Sequence, residues 1–199
     1  MRKSPRQARA KETVERIVTA GRAVLVEDGY DAFSTNRVAA RAQVSPGSLY
    51  QYFPDKAAIL DVVLDRYWAE VADRVARSLA DRVASPEPAS PTLVRQTADA
   101  LVAALEADRA LLRVVAEVLP LQRSRERRAA LENRVAELAT VYLAARSGTR
   151  RPVPAHAAWV LVLAFETLAS RWVLDQPPSL SREELVDEMT ALAVGYLQV

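Results

Sequence analysis

Apolar residues recur along this chain at steps of three and four, the repeat of a helix with one buried face. No run of alternating β-branched residues bounded by hairpin signals interrupts the pattern. The first helical stretch is Lys11 to Asp28, with Val14, Ile17, Val18, Val24 and Leu25 on one broad face and Gly29 as a left-handed stop. Ser34 or Thr35 can cap a short second helix that reaches Ala42. Ser45 followed by Pro46 marks a third start, a capping hydroxyl and then a ring suited to the first turn. That helix ends at Tyr52, because Pro54 drives Phe53 out of helical backbone. Asp55 caps a long fourth helix whose stripe runs from Ile59 through Leu64, Tyr67, Trp68 and Val75 to Leu79.

Ala84 to Pro91 reads as a rigid, extended connector rich in proline. Beyond it the pattern predicts helices over Thr92–Ala107, Asp108–Leu119, Arg123–Arg146, Ala155–Asp175 and Arg182–Leu197, with Gly148 to Pro154 and Gln176 to Ser181 as breaks. The expectation is an all-α chain: three short N-terminal helices over residues 1–56, then one long connecting helix and a five-helix body over 57–199.

Half of the 199 residues are apolar, enough for a packed core that hides about 70% of the unfolded chain's surface. There is no cysteine, which removes disulfides, thiolate zinc sites and thiol nucleophiles together and fits a reducing, cytoplasmic setting. Met1 to Lys11 is basic and lacks the apolar run of a secretory signal. The most apolar stretch, Ala155 to Leu174, carries His156, Glu166 and Arg171, so it reads as a buried helix rather than a lipid-spanning one, and no membrane partner is expected. Enzymatic chemistry is poorly served. The one histidine, His156, opens an apolar helix, and five glycines include no phosphate-cradling loop. Glu166 could act as a base, but neutralisation by Arg171 is the simpler reading. No metal or cofactor is expected.

Charge changes the picture. Residues 1–56 hold ten Lys/Arg against six Asp/Glu, whereas residues 57–199 hold seventeen against nineteen. A basic first quarter on a slightly acidic body suits an end that meets a polyanion, or a solvated basic tail. Two short helices separated by a few residues must cross steeply, an arrangement found both in DNA-reading helix-turn-helix units and in plain scaffold. Ser34, Thr35, Asn36 and Arg37 gather at one helix start, where free N–H groups favour phosphate, and Ser45, Gly47 and Ser48 gather at the next. Tyr50 and Tyr52 flank Gln51, offering hydroxyls to phosphate and an amide to a base edge, although Tyr50 and Phe53 also suit a core. Lys56 lies in the first turn of the fourth helix, against the helix dipole, which a bound phosphate would explain.

The succession Ala20-Gly21, Glu27-Asp28-Gly29-Tyr30, Ser34-Thr35-Asn36-Arg37-Val38-Ala39 and Val44-Ser45-Pro46-Gly47-Ser48-Leu49-Tyr50-Gln51-Tyr52-Phe53-Pro54-Asp55-Lys56 closely resembles the DNA-binding domain of TetR-family repressors over residues 10–60. The resemblance implies a dimeric bacterial repressor on a palindromic double-stranded operator, released by a small-molecule inducer. It implies a helix-turn-helix domain over 1–56, with its recognition helix at about 46–52, and an effector-binding and dimerisation domain over 57–199. Carried over by position, Thr35, Ser45, Tyr50, Tyr52 and Lys56 grip phosphates, while Asn36, Arg37, Gly47, Ser48 and Gln51 lie nearest base edges. Three positions depart from the family pattern: Gly21 stands for alanine, Leu25 for phenylalanine, and Gln43 for a turn glycine that can be left-handed without strain.

The body is read from its stripes. An effector cavity would draw its wall from Tyr67, Trp68, Leu101, Leu105, Leu112, Tyr142, Trp159 and Phe165, residues that serve equally as plain core. Arg125, Arg127 and Arg128 offer either an acidic-effector site or a solvated face. Ala155–Asp175 is apolar nearly all round and must be covered on more than one side, by its own protomer or by a twin. A homodimer interface is expected at Leu163, Leu185, Met189, Leu192 and Tyr196, making a four-helix contact.

Overall fold

The computed structural model of the protein describes residues 5–83, 91–119, 121–144 and 152–198, and every regular element among them is helical. In chain order these are α1 (Pro5–Glu27), α2 (Thr35–Ala42), α3 (Pro46–Tyr50), α4 (Lys56–Val83), α5 (Pro91–Glu106) and α6 (Arg109–Arg113). A π-helical turn (Val114–Val118) follows, then α7 (Leu121–Ala144), α8 (Pro154–Asp175) and α9 (Arg182–Gln198). The chain forms two compact units: Met1–Tyr67 with Arg113–Ser124, and Trp68–Leu112 with Arg125–Val199. The division falls inside α4, not at residue 56, because the early turns of α4 supply Ile59, Leu60, Val63 and Leu64 to the first unit's core.

In the first unit those side chains are buried with Ile17, Val24, Leu25, Phe33, Val38 and Leu49, each worth about 1.5–3 kcal/mol of removed apolar surface. Gly21 lets α1 and α4 meet closely: a Cβ there would sit 2.8 Å from Ile59 Cγ2. Leu25 is fully buried and takes its part in the same core. Arg66 of α4 donates to both oxygens of Glu15 on α1, at 2.5 and 2.7 Å. α1 opens at Pro5, earlier than the periodicity suggests; proline suits a first helical turn, and residues 6–12 are good helix formers that carry no apolar stripe.

In the second unit α5 packs on α8 and α9. Leu93, Tyr142, Leu143, Ala157, Ala158 and Leu197 form one buried cluster there. A capping box starts α9: Ser181 N–H donates to Glu184 Oε2 at 2.8 Å, and Glu184 N–H to Ser181 Oγ at 3.3 Å. Hydrogen bonding from the Ser181 side chain and from its backbone N–H holds the Glu184 carboxyl below its ordinary value. Arg182 then ties α9 to α5 through Asp99 at 2.6 Å and Glu106 at 3.0 Å. The span expected as one helix, Asp108–Leu119, is α6 plus the π-helical turn. Its last bond runs from Leu119 N–H five residues back to Val114 O at 3.0 Å, and Leu119 itself is extended, as the residue before Pro120 must be.

The connector at 84–90, most of the break at 148–154, and the side chains of Leu79, Arg125, Arg127 and Leu131 lie outside the described residues.

Candidate nucleic-acid interface and internal cavity

The turn between α2 and α3 is built from caps at both ends. Ser34 Oγ receives the Arg37 N–H at 3.4 Å and opens α2. At the other end Val44 N–H returns to Ala39 O at 3.0 Å and Gln43 N–H to Ala40 O at 3.2 Å, a Schellman closure. It forces Gln43 into the left-handed region, φ 54 and ψ 45. Arg16 of α1 supports this closure, donating to Ala42 O at 2.5 Å and Gln43 O at 2.8 Å. Nothing in the local pattern singles out Arg16, which lies 26 residues from its acceptor at Ala42. Ser45 Oγ then receives the Ser48 N–H at 3.1 Å, and Pro46 takes the first helical position of α3.

Two apolar side chains fasten α3 from beneath: Leu49 is wholly buried and Phe53 is 5% exposed. The opposite edge is left outside. Ser45, Gly47, Gln51 and Tyr52 are exposed, Ser48 is half-buried, and Tyr50 is 53% exposed, so Tyr50 belongs to the surface and Phe53 to the core. The helix itself ends at Tyr50, with Gln51 and Tyr52 in the following turn instead of the helical residues expected there.

The end of α3 touches the start of α2. Tyr50 Oη lies 3.1 Å from Thr35 Oγ1, which joins the edge of α3 to the first residue of α2. Asn36 and Arg37 are exposed beside them, and Arg37 also pairs with Asp28 at 3.1 Å. Lys56 is exposed, with its ammonium 5.4 Å from the centre of the Tyr30 ring. A cation over that aromatic face explains its unfavourable place in the first turn of α4 without any phosphate. The sequence-expected residues thus fall on α2, on α3 with the residues just before and after it, and on the first turn of α4, all of them exposed or half-buried in the first unit.

The second unit holds a cavity of about 130 Å³ bounded by α4, α5, α7, α8 and α9. Of the expected wall residues, Trp68, Leu101, Leu105, Tyr142 and Phe165 line it. Tyr67 and Leu112 do not: both are buried, but outside the cavity wall. Trp159 does not either, being 55% exposed on the outer side of α8. Thr97 and Glu132 also line the cavity, and no local pattern in the sequence singles them out.

Glu166 lines the cavity as well, and its partner is not Arg171, which pairs with Asp175 at 3.2 Å. Glu166 is bound instead by Arg128 of α7 and accepts a bond from Ser170 at 3.0 Å. Burial raises its carboxyl above the ordinary value, against the pull of Arg128 and Ser170.

The expected interface residues separate into two sets. Leu185 and Met189 are buried within their own unit, on the side of α9 that meets α5 and α8, and so are unavailable to a partner. Leu163 and Tyr196 are partly buried, and Leu192 is 45% exposed. With Trp159 and Val160, Leu163 leaves an apolar strip on the outer face of α8. α8 has the length and hydropathy to cross a membrane, but its other face carries buried Ala158, Phe165 and Ala169.

Comparison with known proteins matches both units to one group. Residues 17–63 match the family model of bacterial regulatory proteins of the tetR family, and residues 90–197 match the tetracyclin repressor-like C-terminal domain. Over 68 residues the chain is 37% identical to the HTH-type transcriptional repressor KstR of Mycobacterium tuberculosis, covering 34% of this chain and 31% of that protein. The alignment thus spans about a third of that curated relative's length. A Mesorhizobium loti protein proposed to be a TetR-family transcriptional regulator has a similar fold, with a TM-score of 0.74 at 21% identity over 95% of this chain and 96% of that one. The transcriptional regulator FadR from Bacillus subtilis, solved in complex with stearoyl-CoA, gives a TM-score of 0.66 at 16% identity over 92% and 98%.

Proposed function

Because the chain belongs to the TetR family of bacterial regulatory proteins, we propose that it is a sequence-specific, DNA-binding transcriptional repressor that leaves its operator when a small molecule occupies the body. The observation that carries this reading is the outward edge of α3: Leu49 and Phe53 anchor it, while Ser45, Gly47, Tyr50 and Gln51 face solvent. Such an edge can enter a major groove, where the small Gly47 and Ser48 allow close approach and Gln51 can present its amide to a base edge. Tyr50 and Thr35, already in contact, hold hydroxyls for neighbouring phosphates, and Ser45, Tyr52 and Lys56 extend that contact. Asn36 and Arg37 flank the bases at the start of α2.

In this reading the first unit, which extends past residue 56 into α4, binds DNA, and the second unit is the effector and dimerisation domain. The exposed Trp159 and Val160 and half-buried Leu163 of α8, with exposed Leu192 of α9, support a homodimer, and a two-fold dimer carries two copies of α3 to a palindromic site. The cavity supports a small-molecule effector. α4 offers the link: its residues Trp68, Val71 and Val75 line the cavity, and its first turns form the core beneath α3. The protein works in the cytoplasm, where its operator lies.

The test is binding to fragments selected from the source genome, followed across salt. Counterion release predicts that affinity falls about a thousandfold between roughly 50 and 200 mM salt if about six phosphates are contacted. Affinity that ignores salt overturns the reading. Gln51→Ala relaxes discrimination at one base pair, whereas Lys56→Ala weakens all sequences alike.

A further inference from the structure

We propose that the cavity of the second unit takes a small, neutral, hydrocarbon-like molecule, a single ring bearing one or two further carbons. The inference rests on the reading of that cavity as the effector site and adds the chemical class of its occupant.

The wall carries it. All but three of the described wall residues are valine, leucine, alanine or aromatic, and the surface bordering the empty space is almost wholly carbon. These side chains come from α4, α5, α7, α8 and α9, so an occupant meets apolar surface from several directions. Trp68, Tyr142 and Phe165 bring rings from α4, α7 and α8, and a ring packed on rings gains beyond the area it buries.

The three exceptions, Thr97, Glu132 and Glu166, ask nothing of a ligand. Both Glu166 oxygens are engaged, Oε2 by Arg128 and Oε1 by Ser170 at 3.0 Å. Glu132 Oε1 meets Arg128 Nε at 2.9 Å. Thr97 Oγ1 has no hydrogen-bond partner among the described residues, but it is covered. No described wall residue is basic. A charged ligand would therefore give up its water for a surface that offers no partner, a loss larger than its apolar body can offset. A neutral body escapes that loss.

Size narrows the class further. The cavity is about 130 Å³, close to the roughly 150 Å³ of an apolar cavity that stays dry and takes up benzene. One ring with a short arm suits it, and a long acyl chain does not.

Calorimetric titration of the full-length protein near neutral pH tests the idea. Along benzene, toluene and ethylbenzene each added carbon should tighten binding about threefold to fourfold, the equivalent of about 0.8 kcal/mol. Benzylammonium and benzoate, close to ethylbenzene in size, should bind at least about a hundredfold more weakly. Ala139→Leu and Ala193→Leu fill the cavity from α7 and α9, and either variant that keeps the wild-type circular dichroism should lose ethylbenzene. A charged probe that binds as tightly as ethylbenzene, or a folded filling variant that retains it, overturns the neutral-ligand inference and leaves the effector reading standing. So does a failure of all three hydrocarbons to bind. Ethylbenzene that occupies the cavity but leaves operator affinity unchanged upholds the ligand class and counts instead against the effector reading.

Discussion

Replacing Gln43 by glycine should stabilise the protein, although it trims a side chain from the turn on which the DNA-binding reading depends. The Schellman closure of α2 fixes this residue at φ 54, ψ 45. For a residue with a Cβ, left-handed backbone costs about 1–2 kcal/mol, and glycine escapes that cost. Against this, glycine loosens the unfolded chain by about 0.4–1 kcal/mol. Nothing else is lost, since the Gln43 side chain is exposed and has no hydrogen bond among the described residues. The Arg16 bonds end on backbone carbonyls, which glycine keeps. The net gain is about 1 kcal/mol, a rise in Tm of about 2–4 °C for a chain of this length. Urea unfolding followed by far-ultraviolet circular dichroism, at one protein concentration, should show a higher midpoint at unchanged slope. The control is Gln43→Ala, which keeps the strained backbone and gains nothing. Equal gains from alanine and glycine, or a lower midpoint for glycine, would refute the argument from left-handed strain.

Gly21→Ala should behave in the opposite way to a helix-propensity rule. Alanine gains about 1 kcal/mol in a helix, but its Cβ would press to 2.8 Å on the stiff Ile59 Cγ2, and overpacking costs about 1–3 kcal/mol, so the urea midpoint should fall. A rise would mean that α1 and α4 can part without cost. Glu166 predicts a pH dependence. Its carboxyl is raised above the ordinary 4.5 by burial, so between that value and its raised one the folded protein holds a proton that the unfolded chain has released. The stability it contributes is complete below 4.5 and is lost as pH rises through the raised value. Measured by urea midpoints from about pH 5 to about pH 8, wild type should therefore lose ground to Glu166→Gln; the reverse trend would contradict the assigned shift. Trp159→Asp places a charge in the exposed strip of α8 and should give monomers in sedimentation. A persistent dimer would move the interface elsewhere.

The N-terminal unit was legible because its signals are local. Ser34, Ser45, Pro46, Pro54 and Asp55 each act on a neighbour within four residues, and the structure uses the caps as the sequence suggests. Residue type also marked Phe53 as suited to the core and Gln51 as an amide for the surface, and the structure buries the one and exposes the other. What stayed hidden there depends on distance along the chain. Arg16 closes a turn 26 residues away, and Gly21, a departure from the family's alanine, answers to a methyl group on α4 that the local sequence does not show.

The body was harder to read for a different reason. Periodicity shows that α8 and α9 have apolar faces but not what each face meets. On α9 the stripe of Leu185 and Met189 turns inward, and Leu192 is left outside; on α8 Phe165 and Ala169 turn inward, and Trp159 outward. A helix apolar nearly all round carries both answers at once, so assigning one face to a partner needs the packing of α5 against its neighbours. The cavity shows the same limit. Its aromatic wall could be guessed from residue type, but the ion pairs beside it could not, because Arg128, Glu132 and Glu166 come together only when α7 lies beside α8. That pairing diverts Glu166 from Arg171, the partner adjacent in sequence, and leaves Glu132 with one of its oxygens unanswered among the described residues. The partners of Glu166 thus follow from which helices share a wall, and not from which residues are adjacent in the chain.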